Sequence, residues 1–128
     1  MFGTRSFSNL LGAVALASCP LLATASAAAD FPAGVYTTKG APETITFGDN
    51  GRVSVNKDGV LEVEGAYSVN GDQIQLTDER GPWACTKPGE QTGAYRWKSD
   101  HGQLSFTKVA DACTDRANSI LKHTWKKQ

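Results

Sequence analysis

Apolar and polar residues alternate along most of the chain that follows residue 30. In the run RVSVN valines alternate with polar residues, and the run from Leu61 to Val69 keeps the same period. A period of two predicts β-strands with one buried face. The runs are separated by the sequences GDNG, NKDG, VNGD and SDHG, which are typical of tight turns. The pattern therefore predicts a succession of β-hairpins.

Counting these runs predicts an all-β fold with about eight strands. Most joins are short, which favours an antiparallel up-and-down arrangement, and closing the sheet into a barrel removes its exposed edges. Two joins are longer, ERGPWACTKPGEQT and ADACTDRANSI, and the second is expected to form a short helical turn over Thr114–Ile120 before the last strand. The strands are expected to start near Gly34, Thr44, Arg52, Val60, Asp72, Gly93, Gln103 and Leu121.

Three hairpins open with a similar phrase: GVYT at Gly34, GAYS at Gly65 and GAYR at Gly93. In each phrase the glycine and the tyrosine stand two apart, so they share one face of the strand. A glycine there leaves room for a close neighbour, which we expect to be a tyrosine ring. Seven aromatic residues have the parity of the buried face: Tyr36, Phe47, Tyr67, Tyr95, Trp97, Phe106 and Trp125.

The beginning of the chain has the features of a secretory signal peptide. One positive charge, Arg5, precedes an apolar run, and residues 27–29 form an A-x-A cleavage site. We therefore predict a signal peptide over residues 1–29, a single domain over residues 30–128, and export to the periplasm or the extracellular space. The alternative is a lipoprotein anchored through Cys19, because LASC resembles a lipobox. No later segment approaches the roughly 20 apolar residues that a membrane span needs.

The net charge and the cysteine content indicate which classes of partner and which compartment to expect. The whole chain has 13 basic and 13 acidic side chains, and removal of Arg5 with the leader leaves a net charge of −1. This balance gives no electrostatic reason to expect nucleic acid or an anionic membrane as a partner. Two cysteines remain, Cys85 and Cys113, and an even pair in an exported chain favours a disulfide. They lie on the two long loops, which leave an up-and-down barrel at the same end.

The remaining polar residues form no recognised catalytic motif. His101 lies in a predicted turn and His123 on the last predicted strand, without the spacing of a metal site. Asp111, Asp115 and Arg116 flank a cysteine, where an acid at the start of a helix and a guanidinium that pins the loop account for them. We therefore expect a monomer that is not an enzyme, with no catalytic residues, no metal and no cofactor.

The order of these features resembles a known class of domain. The run GAYSVNGDQIQLTDERGPWAC, followed by GAYRWKSDHGQLSFTKVADACTDR and a terminal TW, is similar to small exported bacterial lipocalin-like domains. The resemblance covers nearly all of the chain after the leader and implies a calycin-like β-barrel without an assigned reaction. It also implies that Tyr36 takes the place of the tryptophan in the G-x-W opening of lipocalins. Arg116 would correspond to the arginine that packs over the barrel end.

Two functional hypotheses follow. The first is a non-enzymatic extracytoplasmic module that binds a small apolar or amphipathic ligand at the end of the barrel that carries the cysteines. In it Trp83 lies over the entrance, Tyr95 and Trp97 line the wall, and Arg116 neutralises an acidic head group. The alternative is a protein-interaction module, such as a periplasmic protease inhibitor or an envelope accessory protein, in which Trp83 plugs a solid barrel. A cavity of about 300 Å3 or more favours the ligand, and a filled barrel favours the protein partner.

Overall fold

The computed structural model describes residues 31–128 and the isolated Gly3. The signal peptide predicted for residues 1–29 and the alternative anchor at Cys19 lie outside the described residues. Between residues 31 and 128 the chain forms β1 (Gly34–Thr37), β2 (Glu43–Phe47), β3 (Arg52–Lys57), β4 (Val60–Asn70), β5 (Gln73–Arg80), β6 (Thr92–Asp100), β7 (Gln103–Ala110), α1 (Thr114–Leu121) and β8 (Trp125–Lys127).

The strands pair in sequence order, and β1 also pairs with β8, so the sheet is a closed antiparallel barrel. This confirms the predicted fold class. The turns agree with the sequence: Asp58-Gly59 joins β3 to β4 with φ angles of 50° and 79°, as a type I′ turn requires. The alternating apolar residues meet in one core, formed by Tyr36, Ile45, Phe47, Val53, Ile74, Leu76, Tyr95, Leu104, Ile120 and Trp125.

Two of the three repeated glycines lie in crowded parts of the barrel. A Cβ on Gly65 would meet the backbone carbonyl of Thr77 on β5, next to a register shift in the β4–β5 pairing. A Cβ on Gly93 would meet the carboxylate of Asp111 and the guanidinium of Arg116. Close neighbours were therefore predicted correctly, but they are a strand backbone and two charged side chains, whereas a tyrosine ring was expected.

The two ends of the barrel differ. The joins that contain Cys85 and α1 lie at one end, here called the disulfide end, together with the β1–β2 and β3–β4 joins. At the opposite end, here called the plugged end, the ring of Phe31 packs against the rings of Phe47, Tyr67 and Trp97 with centroid distances of 5.0, 5.6 and 5.3 Å. One barrel end is therefore filled by aromatic side chains.

The last strand begins later than the sequence pattern indicated. Leu121 was expected to start it, but Leu121 is the last residue of α1, and β8 begins at Trp125. The helix extends further because Arg116, Ala117 and Ile120 are all buried, and this spacing follows the period of a helix. His123, placed on the last strand by the pattern, lies between α1 and β8. Among the described residues, no helix has the length and apolar character needed to cross a bilayer.

Candidate functional site

A cavity of about 440 Å3 lies at the disulfide end. Most of its buried lining is apolar, and Ile120 is the residue through which α1 contributes to this apolar lining. Such a volume lies in the range of small-molecule sites in proteins. The apolar residues that line it are Ile45, Val53, Val55, Val63, Leu76, Ile120 and Trp125.

The rim of the cavity is polar, apart from one large aromatic residue. Trp83 is 66% exposed, and its backbone N–H donates to the carbonyl of Glu62 on β4 (3.1 Å). This hydrogen bond fixes the long β5–β6 join against the barrel wall and presents the indole to solvent. Apart from Asp78 and Arg116, which are described below, the charged and polar residues of the lining are Glu43, Ser54, Lys57, Glu62, Asp115, Asn118, Ser119, Lys122 and His123.

Arg116 holds α1 against the barrel beside this cavity. Its Nε donates to Asp111 Oδ2 (2.7 Å), and its Nη2 donates to Asp111 Oδ1 (2.6 Å) and to the Glu90 carbonyl (2.9 Å). Its Nη1 donates to the Gln91 carbonyl (3.1 Å) and lies 3.2 Å from Asp78 Oδ2. All of the guanidinium's donor atoms are therefore engaged by protein acceptors, and the predicted role of Arg116 in pinning the loop is confirmed.

The two acids of the Arg116 cluster (Arg116, Asp78 and Asp111) also hold the disulfide. Cys85 and Cys113 are bridged, as predicted, with their Cα atoms 6.3 Å apart. The backbone N–H of Cys85 donates to Asp78 Oδ2 (2.9 Å), and that of Cys113 donates to Asp111 Oδ1 (2.8 Å). The Arg116 cluster and the bridge thus tie the same two loops together.

The electrostatics of the cluster favour its charged form. Burial alone would raise the pKa of Asp111, but hydrogen bonds from Arg116, Tyr95 and the Cys113 backbone outweigh burial, and the pKa is lowered. Burial would lower the pKa of Arg116, and its contacts with Asp111 and Asp78 raise it instead. Burial, together with the hydrogen bond to Asp111, raises the pKa of the Tyr95 hydroxyl. Arg116 and Asp111 therefore form an ion pair, and the protonated Tyr95 hydroxyl donates a hydrogen bond to Asp111.

Of the four predicted ligand residues, the structure brings Trp83 and Arg116 to the cavity. Tyr95 is buried, and its hydroxyl donates to Asp111, so it supports the Arg116 cluster. Trp97 lies at the plugged end, where its Nε1 donates to the Gly71 carbonyl (3.0 Å).

Sequence reasoning missed Asp78, which lines the cavity and is only 8% exposed. A signal for it was present, because Asp78 shares the parity of the buried Ile74 and Leu76 on β5.

Other features of the described chain are weaker candidates for a functional site. A second and more open depression of about 340 Å3 lies beside Phe31 at the plugged end. His101 lies in a turn, where its Nδ1 is 2.5 Å from Oδ1 of its neighbour Asp100 and both side chains are exposed. Between residues 31 and 128, no group of three or more His, Cys, Asp or Glu side chains is arranged to hold a metal ion.

The fold is compatible with a lipocalin-like barrel. No family model matches the chain, and no curated protein or solved structure is significantly similar to it.

Proposed function

We propose that this protein is a non-enzymatic binding module that takes a small apolar or amphipathic molecule into the cavity at the disulfide end. The observation that carries the proposal is the cavity itself, which exceeds the roughly 300 Å3 expected of a ligand site and is lined by apolar side chains from β2–β5, α1 and β8. Apolar surface that remains in contact with water stabilises the protein when a ligand covers it. The disulfide supports an oxidising, extracytoplasmic compartment.

Among the residues that line the cavity, Trp83 is the large apolar side chain that is exposed to solvent. An indole that is two-thirds exposed contributes little to the stability of the free protein, because it has little buried surface to lose. It would bury that surface on binding, and exposed tryptophans often carry binding energy for this reason. We therefore expect Trp83→Ala to weaken ligand binding while changing the melting temperature little.

The test uses N-phenyl-1-naphthylamine, a compact neutral fluorophore whose emission rises in an apolar site. We expect saturable binding by the parent and weaker binding by Trp83→Ala. Trp97→Phe is the matched control, because Trp97 lies at the plugged end, and it should bind like the parent. If a saturating concentration of the fluorophore changes nothing in the parent, the proposal fails.

The protein-interaction module remains the second candidate, because the apolar surface at the rim extends beyond Trp83. Leu61 is 39% exposed and precedes Glu62, the residue to which Trp83 is hydrogen-bonded. An inhibitor that inserts an N-terminal segment into a protease would have to detach residues 31–33, since Phe31 is packed into the plugged end. A partner at the rim would protect Trp83 from acrylamide quenching and leave the buried Trp125 unchanged, whereas a ligand in the cavity would change both.

A further inference from the structure

The cavity contains a carboxylate that the protein uses only in part. Asp78 lines the cavity and is nine-tenths buried. Its contacts with the Cys85 backbone N–H and with Arg116 Nη1 are both made by Oδ2 (2.9 and 3.2 Å). Within residues 31–128, the hydrogen bonds to this carboxylate are confined to that oxygen. Oδ1 therefore has no partner within the protein but can be reached by solvent or a ligand, since the fully buried side-chain atom without a partner among the described residues is Thr38 Oγ1.

The charge of Asp78 is not balanced by Arg116 alone. Arg116 binds Asp111 through two hydrogen bonds of 2.7 and 2.6 Å, so its charge is already paired with another carboxylate. Asp78 is the more distant partner of the same guanidinium. Two buried carboxylates thus share one cation, which leaves about one negative charge beside the cavity.

The rest of the lining does not reverse this sign. The other acids of the cavity are Glu43, Glu62 and Asp115, and the other cations are Lys57 and Lys122. Both lysines are exposed, so water and salt screen them from the interior. Asp78 lies deeper and is screened less.

We propose that the cavity selects ligands that carry a cationic amine on a compact apolar body. This inference rests on the proposed function and specifies its ligand class. The ammonium group would donate to Asp78 Oδ1 and balance its charge, while the apolar body contacts the wall formed by β2–β5 and Ile120. An anionic head group would meet like charge, and the donors of Arg116 are already engaged by protein acceptors.

The test compares three probes with the same apolar chain: octylamine, 1-octanol and octanoic acid. At neutral pH the amine is cationic, the alcohol is neutral and the acid is anionic. Each probe displaces N-phenyl-1-naphthylamine from the purified protein, and the displacement gives its affinity. We expect octylamine to bind about tenfold more tightly than 1-octanol, a difference of about 1.4 kcal/mol, and octanoic acid to bind most weakly.

Asp78→Asn is the decisive variant, because it keeps the shape and an acceptor for the Cys85 N–H but removes the charge. Its preference for octylamine over 1-octanol should disappear. Asp111→Asn should weaken the preference too, although Asp111 does not line the cavity, because it frees the Arg116 guanidinium to balance Asp78. Glu43→Gln is the matched control, because it removes a charge from the rim of the cavity and should keep the preference.

The outcomes separate the two proposals. If the alcohol and the acid bind as well as the amine, the amine preference is wrong and the binding function stands. If none of the three binds and the fluorophore does not bind either, the proposed function fails and this inference fails with it. Where Asp78→Asn does not fold, the salt dependence of the parent's preference for octylamine over 1-octanol is measured instead. A preference that vanishes in about 0.5 M NaCl comes from exposed rim charges and contradicts the role of Asp78. A preference that persists supports that role.

Discussion

Removing the Arg116 guanidinium should cost far more stability than breaking any surface ion pair on this barrel. Replacing Arg116 with Met keeps most of the aliphatic side chain but removes the cation between Asp78 and Asp111. The side chains of both acids are at most 6% exposed, so both would be left as buried, unpaired carboxylates. The carbonyls of Glu90 and Gln91 would lose a donor as well.

The magnitude follows from this burial. Removing one partner of a buried ion pair costs about 3–5 kcal/mol, because the remaining charge is uncompensated. A domain of this size has a free energy of unfolding of about 5–15 kcal/mol, so the loss is a large part of the total. With a urea m-value of about 1.5 kcal/mol/M, the unfolding midpoint should fall by about 2–3 M.

The assay is urea unfolding followed by circular dichroism and by tryptophan fluorescence, with coincident transitions as the check on two-state behaviour. Arg96→Met is the matched control. Arg96 pairs with Asp72 at 3.2 Å, but both side chains are more than half exposed, so the expected loss is at most about 1 kcal/mol. The reasoning is refuted if the two variants lose similar amounts. Adding Asp78→Asn to Arg116→Met should restore part of the loss, because one of the unpaired charges is then removed.

The disulfide, the crowded glycines and the lowered pKa of Asp111 give three more predictions. Replacing Cys85 and Cys113 with Ser should lower the free energy of unfolding by about 2–4 kcal/mol, because the bridge closes a loop with a sequence separation of 28. The circular dichroism spectrum of the β-strands should stay unchanged. Two free thiols in the unreduced, denatured parent would disprove the bridge. Gly65→Val should lower the free energy of unfolding by about 3 kcal/mol or more, since its Cβ meets a backbone carbonyl. Gly93→Val should also lower it, because its Cβ meets the Arg116 cluster. Melting curves equal to the parent's would contradict both predictions. The pKa of Asp111 is lowered in the folded state, so the ionised carboxylate stabilises the fold fully above the ordinary value of 3.8, and this stabilisation is lost as the pH falls through the lowered pKa. The free energy of unfolding of Asp111→Asn should therefore fall less steeply in acid than that of the parent. An unchanged acid profile would exclude Asp111 as the source of the acid sensitivity.

Most of the barrel could be predicted because period-two alternation states which face of a strand is buried. The starts of β1, β3, β4 and β7 coincide with the predicted residues Gly34, Arg52, Val60 and Gln103. The disulfide followed from topology, since alternate joins of an up-and-down barrel leave at one end.

The position of a residue along the barrel axis, here called its height, could not be predicted from the alternation of apolar and polar residues. Trp97 and Tyr95 share a face of β6, but one lies at the plugged end and the other donates to Asp111 near the disulfide end. Height depends on strand tilt and register, which are set by pairings between strands and are not visible in the alternation of a single strand. Leu121 was assigned to a strand because the short helix lacks a strong stop signal before it.

The described chain begins and ends at the plugged end, which makes the barrel suitable for circular permutation. The Gln128 N–H donates to the Val35 carbonyl (2.9 Å), so the two ends of the described chain are neighbours. A short Gly/Ser linker should join them, and new ends can be opened at His101-Gly102, an exposed two-residue turn. Such a permutant would keep every covalent and polar contact of the disulfide end. Attachment of residues 31–128 to a sensor surface through either end would likewise point the cavity towards the solution.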